Sequence, residues 1–155
     1  ILGQQESRFP PRKKLGALYT TTSSGHTKHC LGCAIRISRF LLYLQLNGKH
    51  FCITIKHVHV ICTQPRLLVI DIDAPYLRLR IISAHAPTAK DADARDTFFQ
   101  GLGKFILHPH RVMLFIDANS RPISDVGSLP SGQNNSQIKH AAFQFQQFFE
   151  LWETL

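Results

Sequence analysis

The sequence predicts an α/β fold, and three observations carry that prediction. From Cys33 to Ile82 short runs rich in β-branched and aromatic residues follow one another with period-two alternation, the pattern of successive strands. Over residues 91–107, Phe98, Phe99, Leu102, Phe105 and Ile106 fall on one face at helical spacing. Val112-Met113-Leu114-Phe115-Ile116 then runs without a polar break, too short for an isolated helix, and reads as a strand buried on both faces. Strand, helix and strand in that order make a crossover unit, which puts the two strands in one sheet, running parallel.

Length and composition set the frame. A chain of 155 residues is one domain's worth, and 44% apolar with 18% charged residues is ordinary globular composition. The formal net charge of +8 points to a polyanionic partner, nucleic acid being the commonest. No apolar segment approaches the roughly 20 residues of a membrane span. The opening ILGQQESRFPPRKK lacks the apolar run of a secretory signal, so the four cysteines are expected as thiols of an intracellular protein. A start at Ile1 in place of methionine predicts a fragment or a processed product.

Residues 1–29 are polar and basic and read as a poorly packed, poorly ordered arm, with residues 30–155 forming the folded part. Within the arm, Arg12-Lys13-Lys14 is a candidate nuclear address or phosphate contact, weighed against a plain solvated charge run. His26-x-x-His29-Cys30-x-x-Cys33 has a spacing that superficially suits zinc. However, Cys33 lies in the alternating run Cys33-Ala34-Ile35-Arg36-Ile37, which would hide its thiol in the core, so no metal ligand is assigned.

The strands follow in order. Phe40 to Leu46 ends at Asn47-Gly48, a strong hairpin signal. Residues 51–55 and 57–61 continue with β-branched character, and His57 and His59 read as solvent-facing. Leu67–Ile70 and Leu77–Ile82 flank Asp71-Ile72-Asp73-Ala74-Pro75-Tyr76, a connection rich in turn formers. Arg78 and Arg80 alternate with Leu77, Leu79 and Ile81, so one face of that strand is expected to be wet and basic. The strand ends at Ser83-Ala84-His85-Ala86-Pro87-Thr88, where Pro87 stops the ladder and leaves His85 at the carboxyl end. An imidazole there can hydrogen-bond a phosphate or carry a proton. After the helix and the 112–116 strand, residues 120–138 read as a long exposed loop and 141–152 as a final amphipathic helix.

Asp117 and Asn119 follow the 112–116 strand at its carboxyl end, where ligands bind in open α/β sheets. A carboxylate and an amide two residues apart can hold a hard cation and position a phosphate oxygen or a water. Asp-Ala-Asn-Ser is equally the chemistry of a simple turn after a core strand.

The order of hairpin, Ser-Ala-His-Ala-Pro-Thr, helix with Phe-Phe-x-x-Leu, and apolar strand into Asp117-Ala118-Asn119 resembles the endonuclease/exonuclease/phosphatase superfamily. Within it, the chain resembles the AP-endonuclease-like nucleases of non-LTR retrotransposons, and Val126-Gly127-Ser128 adds to that likeness. The resemblance covers roughly residues 32–155. It implies two sheets with flanking helices, an incomplete four-layer α/β sandwich with the active site at one end of the sheets. It also implies Mg²⁺ or Mn²⁺ as cofactor, with Asp117 orienting or deprotonating a water, Asn119 donating to the phosphate and His85 touching it or moving a proton. Arg78, Arg80 and Arg121 would then hold nucleic acid, most simply DNA. The departures are Ile116 for the family's glycine, Ala118 for its large apolar residue and His85 for a frequent tyrosine. The family's metal-holding Glu segment and its carboxyl-terminal Ser-Asp-His have no counterpart in these residues. The resulting expectation is the central fragment of a phosphodiesterase domain with little or no turnover. A non-catalytic nucleic-acid-binding remnant, a degenerate retroelement fragment and a phosphatase of small or lipid substrates are the alternatives.

Overall fold

A computed structural model describes residues 1–8, 10–25, 32–88, 92–107 and 111–119, and strands dominate them. The strands are β1 (Leu2–Ser7), β2 (Arg12–Leu15), β3 (Tyr19–Ser23), β4 (Gly32–Ser38), β5 (Leu42–Leu46) and β6 (Lys49–Cys52). They continue as β7 (Val58–Gln64), β8 (Leu67–Ala74), β9 (Leu77–His85) and β10 (Arg111–Asp117), with one α-helix, α1 (Ala92–Ile106), between the last two. The sheets run β1-β4-β3-β2, β10-β9-β8-β7 and β5-β6. Sheet and helix are both present, but three sheets and one helix among the described residues are not an α/β sandwich with flanking helices, and that expectation is corrected. The chain divides into two units, one of Ile1–His85 with His108–Ile116, the other of Ala86–Leu107 with Asp117–Leu155.

In the first unit two sheets stack on a shared apolar face. β4 sends Cys33, Ile35 and Ile37 into the core at alternate positions, and Leu68, Ile70 and Ile72 of β8 with Ile81 of β9 meet them. Burying each such aliphatic side chain contributes about 1.5–3 kcal/mol. Two polar side chains tie the layers at the edge of this core. Gln5 donates to Ser83 Oγ at 3.4 Å and to the Phe115 carbonyl at 3.2 Å, and the Ser83 hydroxyl donates to the Gln4 carbonyl. Gly3 is fixed by close approach: a Cβ there would run into the Phe115 ring.

The amino-terminal segment is not an arm. β1, β2 and β3 pair with β4 into a four-stranded antiparallel sheet, so the proposed boundary at residue 29 does not mark where order begins. Its buried face carries hydroxyls in place of aliphatics, with Thr20 and Thr22 at most 5% exposed, which hides it from a search for apolar alternation.

The strand buried on both faces is β8, not β10. Every β8 residue but Asp73 is buried, whereas Val112, Leu114, Phe115 and Ile116 are only half-buried and Met113 is exposed. β10 occupies the edge of its sheet among the described residues, with β9 as its neighbour. Ala86, the residue after β9, donates its N–H at 2.8 Å to the carbonyl of Asp117, the last residue of β10. Their carboxyl ends are thus side by side, and the two strands run parallel, as the crossover pattern predicts.

The hairpins follow their turn residues. Asn47 (φ 49°) and Gly48 (φ 73°) both adopt the left-handed conformation that a tight two-residue turn needs between β5 and β6. The β8–β9 turn is shorter than its composition suggests: Ala74 pairs with Leu77, so only Pro75 and Tyr76 turn the chain. Asp71 and Asp73 therefore belong to β8 and face Arg80 and Arg78.

In the second unit α1 begins with Asp93 in its first turn, where the dipole favours an acid, and buries Phe99, Leu102 and Ile106 along one stripe. The loop after residue 119 and the helix expected at 141–152 lie outside the described residues.

Candidate functional site

Asp117 and Asn119 stand at the carboxyl end of β10, and local chemistry fixes both. Asp117 is exposed, and its Oδ1 accepts the Asn119 backbone N–H at 3.0 Å, a side-chain turn of the kind aspartate makes two residues ahead of itself. Asn119 takes φ 47°, a left-handed conformation that asparagine tolerates better than most residues. Its Nδ2 donates at 2.6 Å to the Ala86 carbonyl. The side chains nominated for water activation and phosphate contact are therefore both engaged in shaping the turn.

Arg95 completes this arrangement, and sequence reasoning missed it. Its side chain is wholly buried, and Nη1 donates to the carbonyls of Pro87 (2.8 Å), Ala118 (3.1 Å) and Asn119 (3.4 Å). The guanidinium also lies 5.4 Å from the Phe99 ring centroid, one helical turn on, a cation–π distance. Burial lowers its pKa from the ordinary value, while Asp96 raises it. One cation thus fastens the loop after β9 to the turn after β10.

His85 closes β9 in the first unit, while Asp117 and Asn119 belong to the second. It is 4% exposed, and its backbone extends the β8–β9 ladder by donating its N–H to the Arg66 carbonyl at 2.9 Å.

The expected basic strand face is not there. Arg80 is 4% exposed and holds Asp71 through two parallel hydrogen bonds, Nε to Oδ1 at 2.7 Å and Nη2 to Oδ2 at 2.8 Å. It is committed to a buried pair and presents no cation to a polyanion. Arg78 is exposed and lies 3.7 Å from Asp73, a pair too solvated to matter for stability. It stands near the turn that opens β9, seven residues from His85, about 23 Å along the strand. Arg121 lies outside the described residues.

Among the described residues the donor set does not fit a catalytic divalent cation. Mg²⁺ takes near-octahedral oxygen coordination with one or two carboxylates. Among the described residues no three His, Cys, Asp or Glu side chains are grouped to hold a metal. Asp71 is spent on Arg80, and Asp93 serves the start of α1. Cys33, the one described member of the zinc-like spacing, is fully buried in the core, and burial pushes its thiol pKa up to about 12. His57, in the short 3₁₀ turn Ile55–His57, accepts the Thr54 N–H on Nδ1 at 3.2 Å and is likewise locally employed.

No helix among the described residues is long and apolar enough to cross a membrane. No protein-family model matches the chain, and no curated protein matches it.

Proposed function

We propose that this chain forms a phosphodiesterase-type nuclease fold unit that binds nucleic acid, DNA in the first instance, without hydrolysing it. The observation that carries the reading is the parallel pair β9–β10, joined through α1, with Asp117 exposed where β10 ends and Asn119 two residues beyond. This order resembles the strand, helix, strand and Asp-x-Asn order of the endonuclease/exonuclease/phosphatase superfamily, which supports the reading. The surplus of eight positive charges supports a polyanionic ligand over a small neutral one.

The proposal departs from a working nuclease because the side chains that would do the chemistry are otherwise occupied. Asn119 bonds the Ala86 carbonyl and Asp117 closes the turn.

The test is binding of a labelled DNA duplex at rising salt. The logarithm of the binding constant should fall linearly with that of salt concentration, with a slope of about −0.9 for each phosphate neutralised. Absence of binding at low salt would overturn the proposal.

A further inference from the structure

We propose that the outer face of β2, β3 and β4 is a binding site for single-stranded nucleic acid, with Arg12, Lys14 and Arg36 on the phosphates and Tyr19 stacking on a base. The site uses none of the residues around Asp117 and so goes beyond the reading above.

Register builds it. Cys33, Ile35 and Ile37 occupy the core face of β4, so Arg36 lies on the opposite face. Lys14 pairs with Thr21 and Thr21 with Arg36, which sets the two cations in a row on either side of a threonine, their backbones about 10 Å apart. Arg12 is two residues from Lys14, on the same face and about 7 Å along β2, opposite Ser23. Together they line a hollow of about 390 Å³ with no Asp or Glu among the described residues of its wall. Three cations converge there from two segments more than twenty residues apart in sequence.

The rim is held open by the β2–β3 turn. Gly16 donates its N–H to the Tyr19 carbonyl at 2.9 Å, and Arg39 donates from Nη1 to the carbonyls of Gly16 and Ala17. The Arg39 N–H bonds the Leu18 carbonyl as well. This clamp leaves Tyr19 47% exposed beside the cations, its ring presented to solvent. Phosphate-directed cations beside a stacking ring are how proteins hold unpaired strands without reading sequence. A hollow of this volume accepts a single base with its flanking phosphates, and the charge complementarity is to a polyanion.

Fluorescence anisotropy of a labelled oligothymidylate, measured on the full chain at low and physiological salt, tests the assignment. Arg12→Glu/Lys14→Glu should weaken binding by roughly tenfold or more and flatten the salt slope by about 0.7 per lost contact. Tyr19→Ala should weaken binding roughly 5- to 150-fold and leave duplex binding unchanged. Lys49→Glu, on the separate β5–β6 hairpin, makes the same charge change per residue and should have no such effect. Thermal melting checks that each variant folds, and Lys14→Gln decides the matter if the double variant does not. Folded variants that bind like the parent would overturn the proposal. So would tighter binding to anionic vesicles or an acidic peptide than to the oligonucleotide. A chain that binds no nucleic acid overturns this and the preceding reading together; binding indifferent to these substitutions overturns this one alone.

Discussion

Arg95 stands in the first turn of α1, where a cation works against the helix dipole, and its burial explains why it is there. Its Nη1 donates to three main-chain carbonyls that have little water to turn to, so Arg95→Met should destabilise the chain by about 2–3 kcal/mol, read from the urea midpoint. A change within about 0.5 kcal/mol, typical of surface substitutions, would contradict that role. The Asp71–Arg80 pair makes a second residue-scale prediction. Arg80→Ala strands a buried carboxylate and should cost about 3–5 kcal/mol, whereas Asp71→Leu/Arg80→Met should recover most of the loss. If the double variant is as unstable as the single one, the pair is not what holds the site. Cys33 gives the pH dependence. Burial raises its folded pKa to about 12, above the ordinary thiol value of 9.0, so the folded state retains the proton longer than the unfolded chain. Its stabilising contribution is complete below pH 9 and is lost as pH rises towards 12; Cys33→Ala should flatten that alkaline decline in urea titrations. Two of these features left a signal in the sequence. An arginine amid the acids that open a helix is out of place by dipole alone. A two-residue turn at Pro75-Tyr76 sets Asp73 against Arg78 and Asp71 against Arg80, a charge register that composition-based turn reading obscures.

Among the elements, the legible ones obey a single local rule. Asn47-Gly48 declares its hairpin because both residues must take positive φ, and the stripe of Phe99, Leu102 and Ile106 declares α1. The parallel β9–β10 pair was legible from strand, helix, strand order. The amino-terminal sheet was not, since β3 buries Thr20 and Thr22 and β1 approaches the core through Gly3, neither of which raises an apolar pattern. β10 misled in the other direction, because an unbroken apolar run is equally compatible with a half-buried edge strand. The Gly3–Phe115 contact is testable at this scale. Gly3→Ala should force β1 or the ring to move, destabilising the chain by about 1–3 kcal/mol, the usual cost of overpacking. Unchanged thermal stability would mean that the close approach is not a constraint.

For the whole molecule, charge was legible and its placement was not. The sequence announces an excess of eight positive charges, but register, not order along the chain, decides which cations converge. Arg80, Arg78 and the Asp117–Asn119 pair were nominated by position after or within strands; the first is buried in a pair and the last two shape a turn. Arg12, Lys14 and Arg36 come together only because residues read as a loose arm are strands. On the proposed reading, the β9–α1–β10 unit serves nucleic-acid binding and not cleavage. A plasmid-nicking assay with Mg²⁺ or Mn²⁺ titrated against the purified chain tests it most directly. Retention of plasmid at low salt with no nicking at any metal concentration is the expected result; metal-dependent nicking that disappears in Asp117→Ala would overturn the reading.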